Sequence, residues 1–127
     1  MELSVTQENF ARALSIVGRV ASNRTGLPIL GNILLRTDGT RLLVAATNLE
    51  IAATCYVGAK IVKQGDITLP ARLVSEYVSS LPKGTIELSS KGTSMTIASG
   101  NYSSIMTGVD ATEFPELPSI DEKQAVT

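Results

Sequence analysis

The chain has no histidine, no tryptophan and a single cysteine, Cys55. Without histidine there is no Ser-His or Cys-His nucleophile pair and no histidine metal ligand. One cysteine cannot close an internal disulfide, so nothing ties the fold to an oxidising compartment. Neither charge sign dominates: eleven Lys and Arg face twelve Asp and Glu, for a net charge of -1. No global positive field exists to hold nucleic acid tightly and without selection. Aromatic residues make up 4% of the chain, so Ile, Leu, Val and Ala must do the packing. The same scarcity removes the stacking platforms that single-stranded nucleic acid requires. The opening MELSVTQENF has neither a basic n-region nor an apolar h-region, and no segment is long and apolar enough for a membrane span. Two Asn-X-Ser/Thr matches, at Asn23 and Asn101, are expected to be coincidental.

What is present is a pattern that occurs twice. Met1–Val5 alternates Leu3 and Val5 against Glu2 and Ser4, a half-buried strand. Thr6 is placed to cap a helix whose buried face is Phe10, Leu14 and Val17 and whose opposite face is Arg12, Ser15 and Arg19. Strands are predicted near Ile29–Arg36, Arg41–Thr47 and Glu50–Val57, with Asp38-Gly39 as a hairpin signal. In the third, Ile51, Ala53, Cys55 and Val57 share one face, and Cys55 reads as a small buried hydrophobe. The order then restarts: a short strand at Ile67–Leu69, and a helix begun by Pro70 with Leu73, Val74, Tyr77, Val78 and Leu81 as its apolar face. Strands follow near Thr85–Ser89, Ser94–Ala98 and Tyr102–Gly108. The expected architecture is α+β, a duplicated β-α-β-β-β unit with two helices packed side by side on antiparallel sheets. Residues 1–120 read as one domain. Residues 121–127 read as the start of a linker or strand leading to a missing second domain, and the chain therefore as a fragment.

The candidate binding groups are arginines. Arg24 precedes a Thr25-Gly26 pair and Leu27-Pro28, where proline fixes the entry to a strand and leaves the arginine on the loop side. Arg72 can pair with Glu76 one turn on, and Glu8 shares the face of Arg12 and Arg19. No helix carries the Asn, Gln and Arg cluster that reads base edges. Any nucleic-acid contact is expected to reach the backbone, to be independent of sequence and to weaken with salt. Glu113 with Glu116, and Asp121 with Glu122, read as solvated carboxylates in a Pro-rich, extended tail. Asn48 and Glu50 read as a turn residue and an exposed acid. No metal site, cofactor or catalytic residue is expected.

The motifs Arg24, Leu27-Pro28-Ile29-Leu30-Gly31-Asn32, Thr47-Asn48-Leu49-Glu50, Leu69-Pro70-Ala71-Arg72, Leu81-Pro82-Lys83-Gly84 and Phe114-Pro115 occur in an order and spacing that resembles the N-terminal domain of the bacterial beta sliding clamps. The resemblance implies the DNA-clamp fold and a non-catalytic, cytoplasmic processivity subunit of DNA polymerase III, closed as a homodimeric ring around double-stranded DNA. It implies the replicative polymerase and the clamp loader as partners of the full-length protein. By position it makes Arg24 and Arg72 DNA-facing, with Arg12 and Arg19 as further candidates. It places the ring interface at the last strand, through Ser104 and Met106, flanked by Leu73 and Tyr77. The isolated domain, lacking the complementary edge, is then expected to be a monomer. The competing reading is a sheet-edge protein-interaction module with no nucleic-acid role.

Overall fold

A computed structural model describes residues 1–21 and 28–115. Strand β1 (Glu2–Thr6) leads into helix α1 (Gln7–Gly18). Thr6 caps that helix, its hydroxyl accepting from the Asn9 amide at 3.4 Å. Strands β2 (Asn32–Asp38), β3 (Arg41–Thr47) and β4 (Ala52–Gly58) follow, and then β5 (Lys60–Lys63) and β6 (Asp66–Pro70). Helix α2 (Ala71–Ser80) and strands β7 (Thr85–Lys91), β8 (Ser94–Ser99) and β9 (Tyr102–Thr107) complete the second half.

The strands form two antiparallel sheets, ordered β5-β1-β7-β8-β9 and β4-β3-β2-β6. Each sheet takes a three-stranded meander from one half and the first strand of the other. Strand β1 pairs with β7 (Leu3 opposite Leu88), and β6 pairs with β2 (Leu69 opposite Ile33). Neither half completes a sheet by itself, so the duplication folds as one interlocked unit. The inner faces of both sheets and the apolar stripes of both helices meet in one core, which includes Leu3, Phe10, Leu14, Val17, Leu35, Val74, Val78, Ile86 and Ile97. Burying Phe10, Leu14 and Val17 contributes about 1.5–3 kcal/mol each, which fixes the roll of α1 and leaves Arg12, Ser15 and Arg19 in solvent.

The first half differs from its expected pattern at four places. The strand predicted from Ile29 begins at Asn32, because Pro28–Gly31 forms a 3-10 turn; a proline at the first position of a helical turn loses no needed donor. Strand β5 was not anticipated: Lys60-Ile61-Val62-Lys63 is short, and it exists by pairing with β1, with Ile61 opposite Leu3. Ile51 lies before β4 and is exposed, whereas Ala53 and Cys55 pack against the core and Val57 is buried in it. Cys55 is half-buried rather than enclosed.

The tail after β9 is not a free extended segment. Val109 exchanges two backbone hydrogen bonds with Thr68, both 3.0 Å, and so covers the β6 edge. This approach requires Gly108, since a Cβ there would collide with the Thr68 carbonyl oxygen. Asp110 caps the next 3-10 turn, Ala111–Glu113, accepting from the Thr112 amide at 2.9 Å; that bond holds its carboxyl below the usual range. Ala111 and Phe114 are thereby laid on Leu34 and Ala45, in a second small core on the outer face of the β2-β3 sheet.

Candidate nucleic-acid interface

The two helices run antiparallel, side by side. At one end, the buried Gln7 at the start of α1 reaches the end of α2, its Nε2 donating to the Val78 carbonyl oxygen at 3.0 Å, while its backbone N–H donates to the Gly84 carbonyl oxygen at 2.8 Å. At the other end Gly18 faces Ser75, and a Cβ on that glycine would stand 3.8 Å from the serine hydroxyl. These small residues let the helix backbones come close. A shallow depression remains between the helices, lined by Ser15 of α1, by Arg19 that caps its end, and by Arg72, Ser75 and Glu76 of α2.

Arg19 and Arg72 are therefore brought to one groove, from residues 53 positions apart in sequence. Arg12 is exposed two turns before Arg19 on the same stripe of α1. Its charge is felt by the Cys55 thiol, whose pKa is raised by burial and pulled back to a lesser degree by the Arg12 guanidinium. Arg24 lies outside the described residues. Arg72 Nε donates to Glu76 Oε1 at 3.2 Å, and Lys83 Nζ lies 3.5 Å from Glu8 Oε1. Among the described residues, Arg12 and Arg19 have no carboxylate partner. Such a face can make long-range, interchangeable contacts to a polyanion. Among the described residues it carries no base-reading amide cluster and no stacking ring.

The Asn48 turn is structural. Its Oδ1 accepts from the Glu50 and Ile51 amides, at 3.0 and 2.9 Å, and supports Leu49 at a φ of 79°. No group of three His, Cys, Asp or Glu among the described residues could hold a metal ion, and no described helix is long and apolar enough to cross a membrane.

Among the described residues, strand β9 pairs with β8 alone and is one of the two edges of its sheet, β5 being the other. Of the four residues predicted for an interface, Leu73 is 51% exposed on α2, contrary to its assignment to that helix's buried face. Tyr77, one turn on, is half-buried against the core, and Ser104 is half-buried on β9. Met106 is 4% exposed and packs in the main core, so what it offers at the edge is its backbone. The most exposed apolar side chain on β9 is Ile105, at 72%, with Tyr102 exposed at the start of the strand; neither was expected at the edge. The two-residue alternation from Met106 was the available signal: if Met106 points inward, Ile105 must point out.

The family model described as DNA polymerase III beta subunit, N-terminal domain, matches residues 1–118. The beta sliding clamp of Synechococcus elongatus is 36% identical over 131 residues, covering 99% of this chain and 34% of that protein. The beta sliding clamp of Bacillus subtilis is 29% identical over 135 residues, covering 99% of this chain and 36% of that one. Among solved structures, Caulobacter crescentus pol III beta aligns with a TM-score of 0.88 at 33% identity, covering 94% of this chain and 32% of that chain. The Helicobacter pylori beta clamp bound to a DNA ligase peptide aligns at 0.88 with 26% identity, covering 95% of this chain and 34% of that chain. This chain thus spans about a third of the length of the relatives it matches. With the family model matching residues 1–118, the chain belongs to the DNA polymerase III beta subunit family and corresponds to its N-terminal domain.

Proposed function

We propose that this chain is the N-terminal domain of a non-catalytic processivity factor, a ring that encircles duplex DNA in the cytoplasm and tethers the replicative polymerase to it. The observation that carries this reading is the antiparallel helix pair that sets Arg19 and Arg72 on one exposed groove, backed by a two-sheet wall. Topological enclosure does the holding, so the contacts can be weak, and weak interchangeable contacts are what sliding requires. Arg12 extends the cationic stripe, and Arg24 joins the set on its sequence position.

Ring closure falls to the β9 edge. Its unpaired backbone groups accept a strand from a partner domain, with Leu73, Tyr77 and Ser104, and now Ile105, as flanking side chains. The full-length protein is then a homodimer whose other partners are the polymerase, the clamp loader and proteins such as the ligase whose peptide binds the Helicobacter clamp. The isolated chain is a monomer.

The test is duplex binding at several salt concentrations by the chain and by its Arg19→Ala/Arg72→Ala variant. The expected result is weaker binding and a log–log salt slope shallower by about 0.9 per arginine, with melting unchanged. An unchanged affinity and slope would remove the helix face as the DNA-facing surface.

A further inference from the structure

The helix face carries its own carboxylates. Glu76 sits on Arg72 and Glu8 on Lys83, at 3.2 and 3.5 Å. Both pairs stand in water, with 92% of the Arg72 side chain and 62% of the Glu8 side chain accessible. Exposed pairs of this kind are weak, and the order within α2, arginine before glutamate, is the weaker of the two possible on a helix. A phosphate offers Arg72 a better, two-pronged partner. To take it, Arg72 must leave Glu76, and the freed carboxylate then stands beside a polyanion.

On the reading of the helix face as DNA-facing, we infer that Glu76 and Glu8 are built-in competitors for phosphate, set to hold the grip on DNA low. Of the cations Arg12, Arg19, Arg72 and Lys83, two are answered by a carboxylate on the same surface. Each paired cation exchanges between its own acid and passing phosphates, so no register along the duplex becomes a deep well. The acids flatten the landscape while the cations keep the field attractive. The low overall charge of the chain is then, on this face, a local arrangement rather than an average.

The experiment is fluorescence anisotropy of a labelled duplex at low ionic strength, followed over a salt series. The proteins are the chain and its Glu76→Gln, Glu8→Gln, Arg72→Ala and Arg72→Ala/Glu76→Gln variants. Glu87→Gln, on the exposed face of β7, makes the same change in net charge away from the helices. Glu76→Gln is expected to bind about two- to fivefold tighter, with a slope steeper by up to about 0.9, and to lose most of that gain in the Arg72→Ala background, where only the through-space repulsion is left to remove. Glu8→Gln gains in the same direction, and Glu87→Gln gains little. A Glu76→Gln affinity equal to the parent's, or a gain that is undiminished without Arg72 or is matched by Glu87→Gln, overturns the inference. If Arg72→Ala itself changes neither affinity nor slope, it is the DNA-facing reading that fails. If Arg72→Ala weakens binding while Glu76→Gln gains nothing, only the competitor role fails.

Discussion

Gln7 is the residue whose replacement most directly tests how the helix pair is held. It is buried, and its amide joins the first turn of α1 to one of the last carbonyls of α2, which has no helical partner of its own. Gln7→Ala removes that 3.0 Å bond and leaves a small void. The Val78 carbonyl oxygen also accepts from the Leu81 amide at 3.2 Å, so it is not wholly orphaned, and the penalty stays near that of one lost hydrogen bond plus lost packing. The expected cost is about 1.5 kcal/mol. With a urea m-value of about 2 kcal/mol/M, the denaturation midpoint followed by circular dichroism falls by about 0.7 M. Gln7→Glu refines the test. An ionised carboxylate facing the Val78 carbonyl cannot donate, so at neutral pH this variant is less stable than Gln7→Ala. Its carboxyl pKa is raised by burial, and the protonated form can donate again, so stability returns as the pH falls through that raised value. A Gln7→Ala midpoint within about 0.1 M of the parent, with no acid recovery in Gln7→Glu, would refute the role assigned to this bond.

Gly108→Ala forces the segment after β9 off β6, exposing Thr68 polar groups and the Phe114 contact, and should cost about 3 kcal/mol by the same denaturation assay. Gly39→Ala, at a φ of 63° in open space, should cost only about 1 kcal/mol, and equal losses at the two glycines would contradict the close-approach argument. Cys55 should alkylate more slowly than a free cysteine at pH 7, because its raised pKa keeps the thiol protonated. The same shift adds stability that is complete below the ordinary thiol pKa and is lost as the pH rises through the folded-state value. Reaction at the rate of a free thiol would count against its half-buried position.

The duplication and both helices were legible because period is a local property. Phe10, Leu14 and Val17 mark one face whatever packs on it, and Thr6 announces the helix start. The exchange of first strands between the sheets was not legible, because β1 on β7 and β6 on β2 are long-range pairings with no local mark. Strand β5 was missed for a related reason: four residues with a lysine at each end become a strand only when β1 is there to pair with. Leu73 misled because its helical phase sits at the margin of the buried stripe, where neighbouring elements decide exposure. Phe114 looked like part of a solvated tail until the Thr68–Val109 bridge carried it onto Leu34 and Ala45. For the site, the arginines and the Arg72–Glu76 pair could be read from spacing. The meeting of Arg19 with Arg72 could not, since it depends on the antiparallel docking fixed by Gln7 and Gly18.

The most direct measurement is amide chemical-shift mapping of the isotopically labelled chain titrated with duplex DNA at low salt. The expected shifts are confined to the exposed stripes of the two helices, around Arg12, Ser15, Arg19, Arg72 and Ser75, and fade together as salt is added. Shifts centred on the outer sheet faces, around Glu87 or Thr96, with the helices silent, would contradict it.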